Sequence, residues 1–182
     1  MEETININSR LIEKCLQGDI KAQFQLYKQY SKAMYNISIR FLNNKMDAED
    51  ILQESFITAF DRLGELKNDE AFGRWLKRIV INNCISLQRK KKVHFENIED
   101  YRFEDEADSD DVLQEIDPVI IHNAIKELPD GGRTVLVLHA LEGYRHKEIS
   151  EMLNISISTS KSQYIRALTI LNKNLKNKVY VD

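Results

Sequence analysis

The stretch Arg145–Leu175, RHKEISEMLNISISTSKSQYIRALTILNKNL, decides how this chain is read. His146 to Leu153 forms a short amphipathic segment, Asn154-Ile155-Ser156 interrupts it, and a longer helical pattern then begins at Ile157. Asn154 stands where the first helix should end, and Asn tolerates the left-handed conformation common there. Ser156 is a good N-cap, because its hydroxyl accepts from a backbone N–H one turn on. Tyr164, Leu168, Leu171 and Leu175 recur at the spacing of a buried stripe. Thr159, Ser162, Gln163 and Arg166 occupy another face, with Lys161 beside them. Side chains of that kind hydrogen-bond to base edges and phosphates in a major groove. Two helices joined by a turn of about three residues outline a helix-turn-helix. The alternative is an ordinary helix pair with a solvated face.

Composition agrees with an all-helical chain. Gly and Pro are sparse, with 6 and 2 among 182 residues, so few tight turns are expected. The length allows one or two small domains. No run of about 18 apolar residues predicts a membrane span, and the N-terminus, Met-Glu-Glu-Thr-Ile-Asn, lacks the pattern of a signal peptide. Cys15 and Cys84 are isolated within helical patterns, which suits two reduced thiols in a cytoplasmic protein. The four His and two Cys show no metal-ligand spacing, and neither a Gly-rich phosphate loop nor a nucleophile motif is present, so no cofactor, metal or enzymatic activity is expected.

The net charge of −3 conceals a sharp asymmetry. Between His94 and Asp117 eleven acidic residues face Arg102 alone, a local charge of about −10 that leaves about +7 for the flanking halves. This tract has the composition of a flexible linker. Before it, a short helix from Arg10 to Gln17 is expected to break at Gly18-Asp19, with Asp19 capping the next helix. Ala22, Phe24, Leu26, Tyr27, Tyr30, Met34, Ile37 and Phe41 then predict a buried stripe. Asn43-Asn44-Lys45 reads as a loop and Asp47 as the next N-cap, for a helix reaching about Leu63. A polar interruption precedes a helix from Phe72 to about Arg89. After the tract, Pro118 opens a helix running to Leu128, Pro129-Asp130-Gly131-Gly132 reads as a turn, and a helix from about Thr134 to Leu141 leads into the helix-turn-helix.

Two further surfaces stand out. On the Asp47 helix, Ala48, Ile51, Leu52, Ser55, Phe56, Ala59, Phe60 and Leu63 form a core stripe, while Asp50, Gln53, Glu54, Ile57 and Asp61 share the other side. A polar and acidic face around one exposed Ile suits protein docking, or is simply solvated. Around Phe72-Gly73-Arg74-Trp75-Leu76-Lys77-Arg78-Ile79, cations interleave with aromatics, a pattern that holds a nucleic-acid strand while bases stack. Trp75 itself reads as a core anchor more readily than as a stacking platform.

Both halves resemble the sigma-70 family of bacterial sigma factors, in the small extracytoplasmic-function group that keeps only regions 2 and 4. The first half carries Cys15-Leu16-Gln17-Gly18-Asp19 with Ala22, Asp47-Ala48-Glu49-Asp50-Ile51-Leu52-Gln53-Glu54-Ser55-Phe56, then Phe72, Trp75-Leu76, Ile79 and Asn82. The second carries Leu128-Pro129, Arg133, Val135, Leu138, Glu142-Gly143, Glu148-Ile149, Ile155-Ser156, Thr159, Lys161-Ser162 and Arg166-Ala167.

The resemblance implies two small helical domains, 1–92 as region 2 and 118–182 as region 4, joined by the acidic linker 93–117. It implies a factor that binds core RNA polymerase and directs promoter-specific initiation, with the linker threading toward the RNA exit path. Asp50, Gln53, Glu54 and Ile57 then correspond to the surface docking on the clamp helices of the largest subunit. Lys67, Asn68, Arg74, Trp75, Arg78 and Asn82 correspond to recognition and melting of the −10 element. Thr159, Lys161, Ser162, Gln163 and Arg166 correspond to reading of the −35 element. Expected partners are core polymerase, including its flap, promoter DNA and an anti-sigma factor. The chain departs from the family at Arg145, where a small N-cap is usual, and at Asn154, where Gly is common. Ser160 stands for an aliphatic residue and weakens the turn's core. Gln163 stands for a basic residue, and Gln suits adenine where Arg suits guanine. A helix-turn-helix regulator that does not bind polymerase is the alternative. Such a regulator has no need of the Asp47 helix or of the basic-aromatic segment.

Overall fold

The computed structural model describes residues 2–91 and 117–179. They form eight α-helices, α1 (Glu2–Leu16), α2 (Ile20–Leu42), α3 (Lys45–Asp61), α4 (Phe72–Lys90), α5 (Pro118–Lys126), α6 (Asp130–Leu136), α7 (His146–Leu153) and α8 (Ile157–Val179), with no strand among the described residues. The chain is all-α and divides into two compact units, the first ending at Lys91. Nearly all of the acidic tract expected as a linker lies outside the described residues.

In the first unit α2 packs against α1, α3 and α4. Gly18, at φ +84°, ends α1, and the Asp19 carboxylate accepts from the backbone N–H of Lys21 and Ala22 at the start of α2. That cap falls where the sequence places it, although α1 begins earlier than Arg10. Leu26, Phe41, Phe72, Leu76, Val80 and Ile81 fill the core, each stabilising the fold by about 1.5–3 kcal/mol. Tyr27 stacks at a tilt on Phe56, with ring centroids 4.8 Å apart. Phe24, expected in the buried stripe, is 64% exposed instead. It lies two residues from both Ala22 and Leu26, about 200° round the helix from the row that faces the neighbouring helices.

Local chemistry at the start of α3 differs from the expectation. Asn44, not Asp47, caps α3, its Oδ1 accepting from the Asp47 N–H at 3.1 Å. Asn43 turns left-handed at φ 49° and ends α2. Asp47 sits in the first turn of α3 and pairs with Lys91 Nζ at 2.5 Å, tying the end of α4 to the start of α3. Between α3 and α4 the chain makes two short 3₁₀ turns, Leu63–Glu65 and Asp69–Ala71. Leu63 is buried in the first.

Tyr30 joins three helices. Its hydroxyl accepts from Asn8 of α1 at 2.8 Å, and its ring meets Phe72 of α4 edge-on at 5.2 Å. Its Cε1 lies 2.9 Å from where a Cβ on Gly73 would stand, so only glycine leaves the ring this place. Asn8 also accepts from Gln29 at 3.0 Å.

In the second unit α8 packs against α5, α6 and α7. Asp117 caps α5 through the Val119 N–H, and Pro118 takes the first helical position, as the sequence suggests. Ile125, Leu128, Leu136 and Ala167 are buried together, with Tyr164, Leu168, Ile170 and Leu171 packed around them. The expected turn Pro129–Gly132 is not a turn beyond Pro129. Helix α6 already begins at Asp130, and Gly131 and Gly132 are buried within it. A Cβ on Gly132 would stand 3.4 Å from that of Ala167, so this glycine serves close helix approach rather than flexibility. The buried Arg133 donates to the Leu128 carbonyl at 2.8 Å and to Asp130. After α6 the helix widens into a π turn over Val137–Leu141, closed by Glu142 N–H to Val137 O at 3.0 Å.

Candidate nucleic-acid interface

Helices α7 and α8 form the expected helix-turn-helix. Asn154 ends α7 at φ 55°, its N–H bonded to Ser150 O. Ser156 accepts from the Thr159 N–H at 2.9 Å and so caps α8. At Arg145 the Glu148 carboxylate reaches back to accept from the Arg145 N–H at 2.8 Å, satisfying the N-cap's own backbone donor rather than those of the first turn. Burial of Ile149 and Leu153 fixes α7 on the unit.

The outward face of α8 differs from the expected one. Thr159 and Gln163 are 3% and 5% exposed and Ser160 is fully buried, so Thr159 and Gln163 are not available to read base edges here. The inward row runs Thr159, Ser160, Gln163, Ala167, while Tyr164, Leu168, Leu171 and Leu175 are only half-buried. Small side chains line the closest approach to α6, so the large apolar residues flank the interface instead of centring it. Lys161 is exposed, and Ser162 and Arg166 are half-buried. The outer side also carries exposed Ser158 and Thr169 with half-buried Ile165 between them, which the sequence reading missed. Their recurrence at i, i+7 and i+11, with Lys161 and Ser162 between, is the signal that identifies them. Ser162 donates to Ser158 O at 2.6 Å, leaving its oxygen lone pairs outward. Ser160 does not leave a weak turn core, because its hydroxyl meets His146 Nδ1 at 2.9 Å.

In the first unit the two faces of α3 separate as expected. Ala48, Ile51, Leu52, Ser55, Phe56 and Ala59 are buried. Asp50, Gln53, Glu54 and Asp61 are exposed, and Ile57 is 62% exposed among them. Ser55, inside the core row, accepts from Asn83 of α4 at 3.1 Å.

On α4, Arg74, Arg78 and Asn82 are exposed at i, i+4 and i+8 and therefore share one face. Trp75 lies beside them, half-buried, its ring 6.1 Å from Phe72. It is not the core anchor the sequence suggests, because Phe72 and Leu76 already fill that position. Lys67 and Asn68 are exposed in the connection that enters α4.

Titration behaviour away from these faces is structural. Burial, with a smaller contribution from Asp19, pushes the Cys15 thiol up to about 11, and burial pushes Cys84 up to about 12. Both stay protonated and unreactive at neutral pH. Glu65 is held below its ordinary value by its hydrogen bond from Arg62. Among the described residues no group of His, Cys, Asp and Glu is placed to hold a metal, and no helix is long and apolar enough to cross a membrane.

The fold and these faces define a two-unit helical protein whose second unit presents a helix-turn-helix. The sigma-70 region 2 profile matches residues 26–93, and the sigma-70 region 4 profile matches residues 119–171. The ECF RNA polymerase sigma factor SigW of Bacillus subtilis is 32% identical over 179 residues, covering 91% of this chain and 95% of its own. The RNA polymerase sigma-H factor of Pseudomonas aeruginosa is 28% identical over 184 residues, covering 93% and 94%. Among solved structures, the sigma factor RpoE in complex with the anti-sigma factor NepR from Bartonella quintana shares the fold. Its TM-score is 0.53 at 20% identity, over 86% of this chain and 98% of that one. CnrH, in complex with the cytosolic domain of CnrY, matches with a TM-score of 0.51 at 20% identity, over 94% and 98%.

The chain belongs to the extracytoplasmic-function group of sigma-70 family RNA polymerase sigma factors. It is a transcription initiation factor that binds core RNA polymerase and promoter DNA.

Proposed function

We propose that the two units divide the work of promoter recognition. Residues 1–92 form the domain that docks on core polymerase and recognises and melts the −10 element. Residues 118–182 form the domain that reads the −35 element, and the acidic tract 93–117 joins them.

The observation that carries the docking assignment is the row Asp50, Gln53, Glu54 and Ile57, with a 62% exposed isoleucine set among acidic and polar side chains. Such a residue lies wasted in water and gains by burial against a partner. Its acidic neighbours favour a basic helical surface on the largest subunit. On α4, Arg74 and Arg78 hold the phosphate backbone while Trp75, half-exposed, offers a stacking face to an unpaired base. Lys67, Asn68 and Asn82 border that face. On α8, Lys161 and Arg166 contact phosphates, and Ser158, Ser162 and Ile165 face the groove. Thr159 and Gln163 are withdrawn from that role. The protein works as a binding factor rather than an enzyme, in the cytoplasm alongside polymerase. The solved relatives captured with anti-sigma factors support a similar inhibitor for this chain.

Replacing Gln53 and Glu54 by Ala tests the docking assignment. Both are exposed, so stability should change by less than about 0.5 kcal/mol. Affinity for core polymerase, measured by fluorescence anisotropy of the labelled full chain, should fall by on the order of tenfold or more. Unchanged affinity in a folded variant rules the face out.

A further inference from the structure

Two histidines meet at the corner of the helix-turn-helix. The His139 ring, in the π turn, stacks on that of His146, the first residue of α7, with centroids 4.2 Å apart and planes 25° from parallel. The Tyr164 ring of α8 closes the group edge-on, 4.7 Å from His139 and 5.7 Å from His146. His139 Nδ1 lies 2.7 Å from the Tyr144 carbonyl. A carbonyl only accepts, so that nitrogen carries a proton. His146 Nδ1 lies 2.9 Å from the Oγ of fully buried Ser160. The pair therefore links the π turn, α7 and α8 through one stack and two hydrogen bonds.

The surroundings disfavour a second positive charge. Lys161 faces the group from α8, and Arg145 adjoins it in the loop. The positive end of the α7 dipole falls on His146 itself. Glu142 follows the π turn, and Glu148 is engaged with the Arg145 N–H across the first turn of α7. Two imidazolium rings stacked at 4.2 Å repel strongly, whereas one cation over a neutral ring is tolerated.

We propose that the stacked His139–His146 pair makes the second unit proton-responsive: fully packed while at least one ring is neutral, and loosened at the α7–α8 corner when both carry a proton. Burial, then His139, then Lys161 hold His146 below its ordinary value, in keeping with this geometry. The direction of the effect follows. The unfolded chain takes up the proton first, so stability is fully present above about pH 6.5 and is lost as pH falls through the lower folded value. Loss of promoter grip at low pH rests in addition on the −35 assignment above. The measurement that follows does not.

The test is histidine-ring NMR of the full chain between pH 8 and 5, referenced to the same chain in urea, with amide exchange corrected for its intrinsic pH dependence. Two separated titration steps are expected for the pair, at least one below the urea value. Opening of residues 146–163 should rise on the order of tenfold between pH 7.5 and 5.5, beyond any change in α2 and α4. His139→Asn keeps a donor for the Tyr144 carbonyl but removes the second charge. It should move His146 up toward the urea value and cancel the excess opening. Titration of both rings together at the urea value overturns the proposal. So does equal opening in both units, or an excess that survives His139→Asn.

Discussion

Replacing Arg133 by Met should unfold the second unit far more readily than its single ion pair suggests. The guanidinium is 3% exposed and donates to the Leu128 carbonyl at 2.8 Å and, more weakly, to that of Lys126 at 3.4 Å. Those carbonyls lie at the last residue of α5 and just beyond its C-cap, at the end of the helix's own ladder. A hydrogen bond from a charged donor contributes about 1.5–3 kcal/mol, and a buried acceptor left without it incurs its desolvation cost. Asp130 is 58% exposed, so the ion pair itself adds less than about 1 kcal/mol. Met refills the stem, which keeps the packing loss small. The expected destabilisation is about 3 kcal/mol, or roughly 12–24 °C for a unit of this size. Asp130→Asn, which keeps an acceptor, should lose less than about 1 kcal/mol. Thermal melts followed by circular dichroism would measure both, with amide exchange in α5, α6 and α8 assigning the loss, since two units need not unfold in one step. The reasoning fails if Arg133→Met stays within about 1 kcal/mol of the parent, or if Asp130→Asn matches it.

Lys161→Ala should weaken promoter complexes several-fold on templates bearing a −35 element and lower the salt slope by about one, while Gln163→Met leaves base preference unchanged. An altered preference in the Gln163 variant would return that side chain to the groove. Asn154→Ala places a Cβ residue at φ 55° and should lower the second unit's stability by about 1 kcal/mol. Asn154→Gly should be neutral or slightly stabilising, and an equal loss in both, read by urea unfolding, would show that the Asn side chain matters more than its backbone.

Local signals in the sequence transferred well. Asp19, Pro118, Asn154 and Ser156 act through their immediate neighbours, so their capping and turning roles are legible without tertiary knowledge. The two faces of α3 were equally plain, because large apolar residues alternate cleanly with polar ones there. What failed depends on partners distant in sequence. Asp47 looked like a cap because nothing in its own segment announces Lys91, 44 residues away. Gly131-Gly132 reads as part of a turn because the Ala167 that approaches Gly132 lies on another helix. On α8, hydrophobicity pointed to Tyr164 and the leucines, whereas the space beside α6 admits only small or slender side chains at its centre. The stripe does pack on the core, but from its flanks, and Gln163 is buried where an outward side chain was expected. The π turn that brings His139 onto His146 has no sequence signature in its own five residues.

Tyr30 acts as a spacer of fixed thickness between the N-terminal helix and α4. Asn8 sets its height, Phe72 its tilt, and the bare backbone of Gly73 its depth. Immediately after Gly73 come Arg74 and Trp75. The pitch at which those two side chains meet their surroundings is therefore set in part from α1, through Asn8. A substitution at Asn8 would therefore reach the solvent face of α4 through Tyr30 and Gly73 without touching that face itself.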